Sequence, residues 1–197
     1  MEAGRFDESL TVFKPLAFDG NGEPQLTSVE LYFYATVLMN QDRNAEAQEL
    51  FEAAIRVPQK EEYFHYGLAD CLLSQNKETE RACGLVESVI SNLLKNAKAV
   101  RERTFIAHAM ALHACALASS GRHEDAEARI QEAWTTSETF DVYNKAALWH
   151  MSGVVWQTLG DKAKAREAFQ QTLTLFPYGG VALRAQKRLA EIEANRG

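Results

Sequence analysis

One pattern of residues recurs along this chain, and it constrains the fold more than any other feature. Its clearest copy starts at Trp149. Ser152-Gly153 and Trp156 follow, Gly160-Asp161 makes a turn, then come Ala165, Phe169 and Thr172, and Pro177 closes the unit. A second copy has Met110, His113-Ala114 and Leu117, a turn at Gly121-Arg122, and then Ala126, Ile130 and Ala133. A third has Leu31, Tyr34-Ala35 and Leu38, then Ala47, Phe51 and Ala54, and ends at Pro58. A degraded fourth has Tyr63, Tyr66 and Gly67. Its second half fits only if the turn around Asn76 gains about three residues, which brings Ala82, Val86 and Val89 into place.

Apolar residues recur at three- and four-residue spacing through every copy, which is helix periodicity. The whole chain has only four prolines to interrupt it. Each copy therefore reads as two antiparallel helices. Small residues at Gly153 and Ala165 let the two approach, Trp149, Trp156 and Phe169 fill the space beside that contact, and Gly160 supplies the left-handed conformation that ends the first helix. A helix pair of this kind has one face that only a neighbouring pair can bury, so the copies are expected to stack.

The order of an aromatic, a small pair, an aromatic, then Ala, a bulky residue, a small one and Pro resembles the tetratricopeptide repeat, across about residues 1–197. That resemblance implies an all-α fold, an α-solenoid of antiparallel helix pairs (a TPR-like superhelix), with about ten helices and no sheet. A single array over 1–197 is expected, with repeats at 28–58, 60–96, 98–136 and 139–177. The anchoring alanines Ala47, Ala82, Ala126 and Ala165 are 35, 44 and 39 residues apart. The family period is about 34, so some helices or loops are longer than usual. Residues 1–17 read as a half repeat or N-terminal cap helix: a turn, then Ser9, Phe13 and Leu16 in the positions of a second helix. Either that helix caps the array or the chain is cut from a longer protein. Residues 180–195 read as a capping helix. Leu183, Leu189 and Ile192 lie on one side, with Arg184, Lys187, Arg188, Glu191 and Glu193 on the others.

Composition excludes several partner classes. With 46% apolar and 24% charged residues, the chain has enough apolar side chain for a core. Its net charge of -6 and the absence of a Lys/Arg run disfavour nucleic acid. No window approaches the roughly 18 apolar residues of a membrane span, and Met1 to Arg5 starts no secretory signal. A cytoplasmic location is the default expectation, and it lapses if the start is a cut.

Chemistry-bearing constellations are few. Cys71, Cys83 and Cys115 are odd in number and lack CxxC spacing, so they read as small buried hydrophobes. Asp19 to Glu30 places oxygen side chains in a calcium-loop frame, but Pro24 stands where that loop needs glycine. The simpler reading is an inter-repeat loop in which Thr27 caps a helix and Glu30 closes a capping box. His65, His108, His113, His123 and His150 are scattered, without HExxH. His150 and Ser152 lack GxSxG and an acid partner, and no phosphate-binding glycine loop or Rossmann fingerprint occurs. No metal, no cofactor and no enzymatic activity are expected.

In tetratricopeptide proteins ligands usually lie along the inner faces of the first helices. The matching positions here are Tyr32, Phe33, Thr36, Met39 and Asn40; Phe64, His65, Leu68 and Cys71; His108, Leu112, Cys115 and Ser119; and His150, Met151, Val154 and Gln157. The family's carboxylate clamp uses Lys, Asn and Arg at such positions. These positions carry no Lys or Arg, so an acidic C-terminal peptide is not the expected ligand. An aromatic, Met-bearing, weakly polar face suits an apolar helix or extended segment of another protein. Two readings stay open: an exposed groove, or a face partly filled by neighbouring helices. The implied function is a protein–protein interaction scaffold or adaptor. The alternative is a self-assembling homo-oligomeric protomer, or an assembly or secretion chaperone.

Overall fold

The computed structural model describes residues 18–21, 24–56, 62–96, 100–136 and 140–194. The described residues hold nine helices and no strand; an isolated antiparallel bridge joins Phe18 to Pro24. The half repeat expected over 1–17 lies outside the described residues. The chain divides into two compact units, residues 1–78 and 79–197.

The first unit contains α1 (Ser28–Asn40), α2 (Asn44–Arg56) and α3 (Glu62–Ser74), with α2 packed on both α1 and α3. Thr27 starts α1 as expected. Its hydroxyl accepts the Glu30 N–H at 3.3 Å, and the Glu30 carboxylate accepts the Thr27 N–H at 2.8 Å. Asp19 closes a local turn by accepting the Asn21 N–H at 2.8 Å.

The second unit contains α4 (Thr79–Asn96), α5 (Val100–Ser119), α6 (His123–Thr136), α7 (Val142–Thr158), α8 (Lys162–Leu175) and α9 (Gly179–Ala194). Here α5 packs on α4, α6 and α7, and α8 lies between α7 and α9.

Four turns share one geometry. Asp42, Asn76, Gly121 and Gly160 each have positive φ. The residue after each donates its N–H to a carbonyl five residues back: Arg43 to Leu38, Lys77 to Leu72, Arg122 to Leu117 and Asp161 to Trp156, at 2.9–3.0 Å. This bond gives a donor to a last-turn carbonyl that lacks the usual N–H four residues on. The glycines fit that backbone at no steric cost, and Asn and Asp are the next most tolerant residues.

Two packing expectations need correction. Gly153 is buried, but the atom nearest a side chain there belongs to the ring of Phe169, not to Ala165. Ala165 and Phe169 instead form one cluster with Ala185 and Ile192 of α9. On α9, Leu183 is 65% exposed, and the inward residues are Val181, Ala182, Ala185 and Ile192. At about 100° per residue, Leu183 points roughly 150° away from that stripe.

Candidate functional site

In the first unit, the inner face has been drawn largely into the core. Phe64, Leu68 and Cys71 are buried on α3. Tyr32 of α1 is half-buried, with ring centroids 5.8 Å from each of Phe33, Phe51 and Phe64. Cys71 donates its thiol to the Asn44 carbonyl at 3.0 Å, and burial, reinforced by Asp70, pushes its pKa to about 11. The Thr36 hydroxyl donates to the Tyr32 carbonyl at 2.8 Å. The accessible part of this face is Phe33, 61% exposed, and Asn40, with Tyr32, Thr36, Met39 and His65 half-buried.

In the second unit, α5 and α7 carry the inner face. Leu112 and Cys115 are buried, and the Cys115 thiol donates to the Met151 carbonyl at 3.7 Å. His108 Nε2 lies 3.3 Å from the Asn144 carbonyl, and its ring meets Phe140 edge-on at 6.1 Å. Burial lowers the His108 pKa. Ser119 is exposed, while His150, Met151, Val154 and Gln157 are half-buried.

His150 and Gln157 differ from the rest. His150 Nε2 and Gln157 Oε1 are buried with no hydrogen-bond partner. Burial, then the charges of Arg184 and Arg188, push the His150 pKa down to about 3, so this ring is neutral. The two arginines stand on α9 and were placed by sequence on the outer sides of a cap. The repeat register could have found them: a 34-residue step from His150 and Val154 lands on Arg184 and Arg188. The inner-face positions named on α1, α3, α5 and α7 carry no Lys or Arg, while Arg184 and Arg188 of α9 act on His150.

A polar cavity of about 200 Å³ lies elsewhere in the second unit, lined by residues including Glu87, His113, Arg122 and Arg129. His113 is 2% exposed, and its Nε2 lies 3.3 Å from Glu87 Oε1 without hydrogen-bond alignment. Arg122 and Arg129 each hold their own carboxylate, Asp125 and Glu132, at 2.8 Å.

Residues 35–90 match the family profile described as the tetratricopeptide repeat. A thermophilic TPR protein of Thermus thermophilus superposes with a TM-score of 0.59, at 18% identity, over 87% of this chain and 84% of its own. YrrB, a TPR protein with an unusual peptide-binding site, gives 0.44 at 18% identity over 93% of this chain and 81% of its own. A TPR repeats protein of Bacteroides fragilis gives 0.34 at 13% identity over 97% and 88%. A search of curated proteins returns no match. The Thermus likeness is one of fold. Among the described residues, no helix is long and apolar enough to cross a membrane.

Proposed function

From a chain built of tetratricopeptide repeats, we propose an interaction scaffold or adaptor that docks a segment of another protein on the inner faces of its first helices. The observation that carries this reading is the pair of orphaned atoms on α7, His150 Nε2 and Gln157 Oε1. Leaving a buried polar atom unpaired costs about 1–3 kcal/mol, so native folds seldom keep one without a reason. Both atoms are covered as the chain stands, so docking requires the side chains to turn outward; a peptide backbone then brings an N–H for Gln157 and a donor or acceptor for neutral His150. Half-buried Met151 and Val154 beside them add apolar contact. Phe33, Tyr32 and Met39 offer the corresponding contact in the first unit.

Site-directed photocrosslinking tests the reading. With p-benzoylphenylalanine in place of Gln157, irradiation in native extract should give one discrete protein adduct. The same group in place of Gln170, on the exposed side of α8, should give none. Equal labelling from both positions sinks the proposal.

Self-association is favoured by a different observation: Tyr178 and Leu183 are 76% and 65% exposed at the α9 end. Large apolar side chains left in water at this density suit a covering surface. Sedimentation velocity separates the readings, since Leu183→Glu should lower the mass of a homo-oligomer and leave a monomer unchanged.

A further inference from the structure

We propose that the groove between α6 and α7 is a second docking surface, and that its occupant is a proline-rich segment in the polyproline II conformation. This does not depend on the inner-face reading. All three tryptophans of the chain line this one groove: Trp134 from α6, and Trp149 and Trp156 from α7. The groove encloses about 340 Å³, and Ile130, Gln131 and Ser152 complete its lining. On α7 the stripe of Trp149, Ser152 and Trp156 stands roughly 130° around the helix from His150, Val154 and Gln157, at about 100° per residue.

The lining defines what fits. Trp134 and Trp149 lie 4.6 Å apart, tilted by 57°, and all three indoles are only half-buried. No lining residue is charged. Lys164 Nζ already sits 4.2 Å over the Trp156 ring, so a cationic ligand would meet an occupied, positive position there. The Trp134 N–H donates to Ser152 Oγ at 3.0 Å, and the Ser152 hydroxyl donates to the Leu148 carbonyl at 2.9 Å, which closes that pair. The indole N–H groups of Trp149 and Trp156 are taken by no group of the described chain.

The groove thus offers flat aromatic faces and two spare donors, with the Gln131 amide and no formal charge. Its complement is neutral, carries apolar rings, and presents acceptors without donors of its own. A helical ligand spends its carbonyls on itself, and a β-strand brings N–H groups that this lining has little to accept. A proline segment has no N–H, and the polyproline II conformation leaves its carbonyls free. Its stiffness also lowers the ordering cost on binding, and aromatic grooves are the usual receptors for it.

Because every tryptophan lies in this groove, tryptophan emission excited selectively over the six tyrosines reports on it alone. The full chain is titrated with a decaproline peptide, with a Gly-Ser decapeptide as control. Decaproline should give a saturable spectral change and the control none. Trp149→Phe keeps a ring and removes a donor, and should weaken binding roughly three- to tenfold while the helical circular dichroism stays unchanged. The proposal is overturned if decaproline produces no change at millimolar concentration, or if Trp149→Phe binds as tightly as the native chain. It is equally overturned if tetramethylammonium competes the peptide off, which marks a cation site. A spectral change that follows protein concentration without peptide overturns it too, by making a second copy the occupant.

Discussion

The ring of Phe169 occupies the space that a side chain on Gly153 would need: a Cβ there would stand 2.6 Å from Phe169 Cε1. Gly67 and Phe51 repeat the relation in the first unit, at 2.5 Å. Both phenylalanines come from second helices and are 0–1% exposed. The glycines are thus packing residues of mid-helix, kept despite their poor helix propensity because a ring fills the place of the missing methyl.

Gly153→Ala should therefore destabilise the second unit by about 1–3 kcal/mol, the overpacking range, and Gly67→Ala should do the same to the first. Combining Gly153→Ala with Phe169→Leu should cost less than the sum of the two single changes, because the smaller side chain makes room for the methyl. Urea unfolding of the four proteins measures this. Strict additivity would refute the contact.

Gly84 is the contrasting case. It lies within α4, is exposed, and has nothing within 4 Å of where a Cβ would sit. Gly84→Ala should stabilise the protein by roughly 0.5–1 kcal/mol through propensity alone. A lower melting temperature would show that the space is needed.

Acid should weaken the fold before the carboxylates titrate. His150 is neutral when folded, with its pKa at about 3 against an ordinary 6.5. The unfolded chain therefore binds a proton that the folded one refuses. The sign follows: the stability this group contributes is complete above pH 6.5 and is lost as pH falls from there towards 3. His108 and His113 are shifted in the same direction, chiefly by burial, and in His113 next by the charge of Arg129. Between about pH 7 and about pH 5 a single such histidine removes up to about 2 kcal/mol. His150→Gln should flatten the urea midpoint against pH over that interval. An unchanged slope would assign the acid sensitivity elsewhere.

Much of this fold was legible because the repeat dictates it locally. Gly121 and Gly160 announced their turns, and Thr27 with Glu30 announced the start of α1. Asp42 was missed since an aspartate at a turn carries no demand for positive φ, whereas glycine suggests one. The site was harder to read. Inner-face positions follow from helix register, but whether a residue there meets solvent depends on neighbours remote in sequence. Phe64 and Phe33 look alike as letters, and Tyr32 stands 5.8 Å from both rings, yet Phe64 is 2% exposed and Phe33 61%. Arg184 and Arg188 were set aside because α9 was read as a polar cap rather than as one more first helix.

That contrast yields the sharpest test of the inner face. Phe64 is 2% exposed and Phe33 is 61% exposed. Truncating a fully buried phenylalanine removes its transfer free energy and leaves a cavity, about 3–5 kcal/mol in all. Phe64→Ala should therefore act on stability, and any loss of binding should follow the unfolded fraction. Phe33→Ala removes a ring already largely in water, so its stability cost should stay near the ±0.5 kcal/mol typical of surface changes. If the first unit holds a partner by apolar contact, Phe33→Ala should instead weaken the complex, by ~2 kcal/mol at a strong anchor. Thermal melts and calorimetry with the crosslinked partner separate the two effects. Should Phe33→Ala bind as the native chain does, the inner face of the first unit is self-filled core, and docking would rest on His150 and Gln157 of the second.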